Sequence, residues 1–477
     1  MQKQPINNLS ACTSILVGKQ ASADGSIFIG RNEDSKAAWP KHFISHPRKT
    51  YTKAPVFQSK DTGLRLTLPL NRAKYNATPE WTTEYGLFEE DGFNEYGVAM
   101  SATESAYANT RVLAYDPLVK TGIAEEAMVT VVLPYVKTAR QGVQRLGALI
   151  SKYGTAETNG ILFADQQEAW YLETGSGHHW VAQRIPDDAY AVVANQLAIQ
   201  VVDFNDPAQF MSSKGIRHFA LSHHLWQTNT PFNFREIFGT HSEDDAIYNT
   251  PRVWYGQKLL TPSKQQQPMN QQLPFIQRAD QPIQFEQIAQ FLSSHYQGTP
   301  YDPVGSGNAV SKHQFRPVSL AKTQESHILQ LRPEFPAAIG NLHWLAMGVT
   351  AESIYVPFYA GADQTPADYQ IGQQTYDPQS SYWLYKLAGV LVDSHYQRFN
   401  PLLKQVQDST HSTLLAAIAT HDQQAQQQAK TSLIPFLNQA NQAHATLARQ
   451  NFTHLIADLI TEATDLSPLN FNTDENL

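Results

Sequence analysis

The sequence predicts a chain of the α+β class on three observations. Short runs rich in Val, Ile, Tyr and Trp, of which AWYLE (169–173) and YAVVAN (190–195) are the clearest, recur from residue 12 to about 205. The stretch AEEAMVTVVLPYVKTARQGVQRLGALISKYG (124–154) instead places apolar residues at helical spacing. From Asn400 to Leu466 prolines occur only at Pro401 and Pro435, amid abundant Ala, Leu and Gln that favour helix. Strands followed by helices imply mixed α and β layers.

Taken in order, CTSILVG (12–18) and SIFIGR (26–31) read as two strands joined by KQASADG, where Asp24 and Gly25 supply a turn signal. A two-residue turn at that Asp-Gly would set Cys12 opposite Ala37, and a loop spanning Gln20 to Gly25 would set it opposite Glu33. Either register brings the thiol near the sequence RNED (31–34). The helical stretch stops at Gly154, with a break expected at Pro134. Residues 206–282 read as irregular with helical patches and a polar surface loop, PSKQQQPMNQQLP, and 283–296 read as helix. RPVSLAKTQESHILQL (316–331) and the region from NLHWLAMGV to SIYVPFY (341–359) resemble a second set of strands. Helices are expected beyond about residue 400, with QQAQQQAK as a solvated face, and there is no internal repeat.

Composition bounds the function. At 42% hydrophobic and 16% charged residues the chain is globular, and a formal charge of -8 with no basic block disfavours nucleic acid as a partner. The N-terminus MQKQPINNLSA has no apolar signal region, and no segment is long and apolar enough for a membrane span, so a cytoplasmic protein without membrane contact is expected. A single cysteine forms no internal disulfide.

That cysteine, Cys12, has a bland reading as a small buried hydrophobe. A guanidinium at Arg31 would instead stabilise its thiolate, and the carboxylate of Asp34 could orient the arginine. Cleavage between Ala11 and Cys12 would put a nucleophilic thiol and a free α-amine on one residue. That amine titrates near 7.7 to 8.0 when unperturbed, so it can serve as the base without a partner histidine. A thiol so placed can also attack its own preceding carbonyl, which would make removal of residues 1–11 self-catalysed.

CTSILVGKQASADGSIFIGRNED, with DGFNEYGVAMSATES, ADQQEAWYLETGSGHHWVAQRIPDDAYAVVANQLAI, YNTPRVWYGQKLL and RPVSLAKTQESHILQLRP, resembles the PepD-type (dipeptidase A) cysteine dipeptidases. These are a thiol branch of the N-terminal nucleophile hydrolases, related to penicillin V acylase and bile salt hydrolase. The resemblance runs through about residue 400. It implies a four-layer αββα sandwich, a leader over 1–11, a catalytic domain over 12–400 and a helical extension over 401–477 that packs on the core. It also implies Cys12 as processed nucleophile, Arg31 and Asp34 beside the thiol and new amine, Asn195 as oxyanion donor and Arg252 as a second active-site arginine. Glu104 stands where the related amidases carry an asparagine or tyrosine. Its carboxylate would suit a substrate's α-amine, and a solvated strand end is the competing reading. The implied enzyme needs no cofactor, acts on small peptides and assembles as a homo-oligomer.

Arg31 or Arg252 could further attract a substrate carboxylate. The alternatives are an amidase on a non-peptide amide and a non-catalytic binding protein of the same fold. The pairs His178–His179 and His223–His224 do not have metal-ligand spacing, and no metal is expected. Glu173, after WYL, is expected to be exposed, and the tryptophans to be core residues.

Overall fold

The computed structural model describes residues 11–469. The expected leader therefore lies outside the described residues except for Ala11. Strands β1 (Ala11–Val17) and β2 (Ile27–Asp34) form the N-terminal hairpin. Six short strands, β3 (Ile44–His46), β4 (Lys49–Thr50), β5 (Val56–Gln58), β6 (Arg65–Thr67), β7 (Asn71–Arg72) and β8 (Tyr75–Ala77), pair as two-stranded ribbons. After them come β9 (Asp91–Phe93), β10 (Ala99–Ala106), helices α1 (Thr110–Leu113), α2 (Glu125–Val132) and α3 (Ala139–Tyr153), then β11 (Thr158–Ala164), β12 (Ala169–Thr174), β13 (Trp180–Ile185) and β14 (Tyr190–Val193). The middle region carries β15 (Phe210–Ser212), α4 (Ile216–Ser222), α5 (Phe234–Phe238), α6 (Thr250–Leu260), β16 (Ile276–Gln277) and α7 (Phe285–Leu292). The chain closes with β17 (Thr323–Leu331), α8 (Ala337–Gly340), β18 (Asn341–Met347), β19 (Val356–Tyr359), α9 (Ser381–Ser394), α10 (Tyr396–Gln426) and α11 (Lys430–Thr464).

Two antiparallel sheets organise these elements. A seven-stranded sheet runs β16-β14-β1-β2-β17-β18-β19, and a six-stranded sheet runs β15-β13-β12-β11-β10-β9. Strand alternation divides their side chains among separate cores. Leu16, Ile27, Ile29 and Leu329 of the first sheet cluster with Leu162, Tyr171 and Val181 of the second. Ile15, Phe28 and Ile328 point the other way, to Val253 on α6 and to Ile288 and Phe291 on α7. On the second sheet Ile161, Phe163 and Leu172 pack with Met128 and Val132 of α2 and with Val143 and Leu146 of α3.

Local chemistry explains where elements stop. Thr138 caps α3 by accepting from the Gln141 N–H, and Gly154 ends it at φ 76°, a conformation a side chain would strain. Pro134 sits in a 3-10 turn that separates α2 from α3, at the expected break. Residue 400 lies inside α10, and Leu403, Ala445, Phe452 and Leu459 share a core with Leu345, Val356 and Phe358 of β18 and β19. Glu173 corrects one expectation. It is fully buried because its carboxylate accepts the Ala198 and Ile199 N–H groups at 2.6 and 3.1 Å, and burial pushes its pKa up to about 8. Of the tryptophans, Trp39, Trp170, Trp180, Trp254 and Trp344 are buried, whereas Trp81, Trp226 and Trp383 are only half-buried.

Candidate active site

The β1–β2 register sets Cys12 opposite Glu33 and Ala11 opposite Asp34, the outcome expected of the longer loop rather than of a tight Asp-Gly turn. Arg31 and Cys12 lie on the same side of the hairpin. The Arg31 Nη1 donates to Cys12 Sγ at 3.1 Å and to the Thr103 carbonyl at 3.0 Å. Its Nε donates to Ser101 Oγ at 3.0 Å, and Nη2 to Glu90 Oε2 at 2.7 Å and the Ala102 carbonyl at 3.0 Å. The carboxylate that orients Arg31 is thus Glu90 of the loop before β9, not Asp34. Every N–H of Arg31 is engaged, so it has no donor to spare for a substrate carboxylate, against that part of the expectation.

Arg252 approaches from α6 on the carbonyl side of the same residue. Its Nη1 donates to the Cys12 carbonyl and, at 2.8 Å, to Thr13 Oγ1. Its Nη2 donates to Asn195 Oδ1 at 2.7 Å and Asn249 Oδ1 at 2.8 Å, and Nε to the Tyr248 carbonyl at 2.9 Å. Arg252 too has no open donor. Because arginine only donates, the Asn195 amide must turn its oxygen to Arg252; its nitrogen then donates one hydrogen to the Ser105 carbonyl at 2.8 Å and retains a second. Burial and the neighbouring Arg316 push the Arg252 pKa down to about 10, so it remains a cation near neutrality.

Glu104, on β10, is fully buried rather than a solvated strand end. Ser14 of β1 donates to its Oε2 at 2.5 Å, while Oε1 has no hydrogen-bond partner. Burial pushes its pKa up to about 7 against the pull of Arg252 and of the Ser14 bond. Asp34 holds Arg316 through Oδ2 and accepts from Thr323 Oγ1 at 2.5 Å. Arg316 also donates from Nη2 to the Ala11 carbonyl at 3.3 Å.

A second tier holds the first. Lys41 Nζ lies 3.0 Å from Glu33 and 3.7 Å from Glu90, and burial, which opposes its charge, is outweighed by these two carboxylates. His327 on β17 approaches Ser101 Oγ through Nε2 at 2.8 Å and, through Nδ1, Glu325 at 3.0 Å and Asp91 at 3.1 Å. Burial opposes its protonation, but Asp91 and Glu325 prevail and push its pKa up to about 9. Ser101 therefore links a buried imidazolium to the Arg31 guanidinium. Among the described residues Asp91, Glu325 and His327 are also the one grouping with metal-ligand proximity, and their distances are those of a hydrogen-bonded triad. Glu90, Ser101, Arg316 and His327 carry no local sequence signal, because their positions depend on pairing between distant strands.

With Ala11 attached the thiol is fully buried, and burial, reinforced by Glu104 and Glu125, raises its pKa well above the usual thiol value despite Arg31. Open cavities of about 430 Å³ (beside His295, Asp302 and Tyr396) and 610 Å³ (beside His42, Trp81 and Tyr376) include none of these site residues.

Comparison with known proteins follows the same span. The model of peptidase family C69 matches residues 11–409. A probable dipeptidase of Latilactobacillus sakei is 45% identical over 470 residues, covering 98% of this chain and 99% of that protein. The dipeptidase of Bifidobacterium longum is 38% identical, covering 87% and 83% of the two chains. Dipeptidase A of Lactobacillus helveticus is 36% identical, covering 97% and 98%.

Proposed function

Because the chain belongs to peptidase family C69, we propose that it is a thiol-dependent dipeptidase whose nucleophile is Cys12, exposed as the first residue when 1–11 are removed. The observation that carries this reading is the 3.1 Å contact between Arg31 Nη1 and Cys12 Sγ in the chain's only cysteine. The dipeptidase names of the relatives supply the substrate class. Two sheets with a shared core and helices packed on their other faces support the four-layer αββα arrangement of N-terminal nucleophile hydrolases.

In this reading the intact chain is a silent precursor, since its thiol is buried and difficult to ionise and the α-amine does not yet exist. Removal of 1–11 uncovers the sulfur and creates a neighbouring base. Arg31 then stabilises the thiolate, which attacks the peptide carbonyl. The remaining Asn195 amide hydrogen and a backbone N–H receive the oxyanion, a type of donor worth about a hundred- to a thousandfold in rate. The Cys12 ammonium protonates the leaving amine, and water releases the acyl group. Glu104, with one unpartnered carboxylate oxygen, binds the dipeptide's free amine.

A dipeptide panel assayed with wild type and Cys12→Ala tests the proposal. Turnover is expected only in wild type, to be lost on alkylation by iodoacetamide and to survive chelator. Turnover by Cys12→Ala would refute it.

A further inference from the structure

Three guanidinium groups crowd the first residues of β1; Arg252 and Arg316 share Thr13 Oγ1, but each of the three also addresses an atom that the others do not. Arg31 reaches the sulfur, and Arg252 reaches the carbonyl of Cys12 itself, which stays in the chain after any cut before residue 12. Arg316 alone of the three donates to the carbonyl of Ala11. We propose that Arg316 stabilises the oxyanion formed when Cys12 severs its own bond to Ala11, a role in maturation distinct from turnover. The proposal rests on the reading of Cys12 as a self-processed nucleophile.

The chemistry balances without a co-reactant other than water. Cys12 Sγ bonds to the Ala11 carbonyl carbon, the carbonyl oxygen takes up the displaced electron pair, and the C–N bond to Cys12 then breaks. The thiol proton ends on the departing nitrogen, giving the α-amine and a thioester. Water adds to that thioester, the C–S bond breaks, the sulfur regains a proton, and residues 1–11 leave with a terminal carboxylate.

Arg316 is built for the intermediate. Its Nη1 is fixed by the Pro317 and Val318 carbonyls at 2.7 and 3.2 Å, and its Nη2 is shared between Asp34 and the Ala11 oxygen. Asp34 is itself anchored by Thr323. The 3.3 Å separation from Ala11 is long for a charge-assisted bond, which usually closes to about 2.7–2.9 Å. It can shorten as the oxygen acquires charge, so the contact is stronger in the transition state than in the resting chain. After the cut its acceptor departs with the leader.

Two forms of the protein separate maturation from turnover. One is the full chain, followed by intact mass during pulse-chase translation. The other is encoded with Met directly before Cys12, so that methionine aminopeptidase exposes the thiol without self-cleavage. Arg316→Gln is expected to slow cleavage of the full chain by about a hundred- to a thousandfold, and to lower kcat/KM of the pre-trimmed form by less than about tenfold, one donor interaction's worth. Arg316→Lys keeps a cation for Asp34 and controls for folding; it should match wild type in thermal midpoint and still cleave more slowly. Equal losses in both forms, or wild-type cleavage by Arg316→Gln, overturn the role of Arg316 alone. A wild-type chain that stays joined while its pre-trimmed form is active overturns self-cleavage and this role together.

Discussion

The two ends of the β1–β2 hairpin share one antiparallel register and are both buried, yet they are made of opposite materials. Toward the turn, Ile15, Leu16 and Val17 lie across from Gly30, Ile29 and Phe28 and feed apolar cores on the two faces of the sheet. At the open end, Ala11 to Ser14 lie across from Asp34 to Arg31, among Glu90, Lys41, Arg252 and Arg316. Apolar burial stabilises by about 25 cal/mol per Å² at any pH. Buried ions instead cost several kcal/mol each before their partners compensate, so such a network is weak as a source of stability. The turn end therefore builds the hairpin, while the open end spends folding energy to hold a sulfur and two carbonyls among fixed cations.

The comparison is tested hardest at Arg31. Its replacement by Gln takes the guanidinium from Glu90 and Glu125, leaving Glu90 only the more distant Lys41 at 3.7 Å, and should cost about 3–5 kcal/mol in denaturant unfolding. Turnover should fall by about a thousandfold as well, at the upper end for one charge-stabilising donor. Loss of stability without loss of turnover would make the open end merely structural. Leu16→Ala is the counterpart at the turn end. Leu16 is fully buried, so about 2–5 kcal/mol should be lost, with kcat/KM of the folded fraction retained. A comparable fall in kcat/KM would show that the two ends are not separable.

His327 sharpens the contrast through pH. Its folded pKa of about 9 lies above the ordinary value of 6.5, so its stabilisation is complete below 6.5 and is lost as pH rises toward 9. Unfolding free energy measured across that window should decline by on the order of 3 kcal/mol, and His327→Gln should flatten the slope. An unaltered slope would place the titration elsewhere. The smallest effect concerns Glu104. Glu104→Gln should raise KM for a free dipeptide by about tenfold and leave its N-acetylated form nearly unaffected; equal losses on both remove the amine-binding role.

Much of this is legible in the amino-acid sequence. Strand alternation, the break at Pro134, the stop at Gly154 and the helical tail are local signals, and each stands where local chemistry places it. Cys12, Arg31, Asp34, Glu104, Asn195 and Arg252 converge on one end of β1, directly or through one intervening side chain. The pairing partners were less accessible. Assigning Asp34 to Arg31 followed from proximity in sequence, whereas in the fold Glu90 reaches Arg31 and Asp34 turns to Arg316. The burial of Glu173 departs from its sequence signal for a related reason, since its N–H partners at Ala198 and Ile199 are supplied by a loop whose path no strand pattern encodes.

Whether the working enzyme begins at Cys12 is read from the intact mass of catalytically active protein. Active protein is expected at the mass of residues 12–477, increased by one alkyl group when iodoacetamide has abolished turnover. Active protein that still carries residues 1–11, or that remains active with its single thiol fully alkylated, would contradict Cys12 as the first, nucleophilic residue.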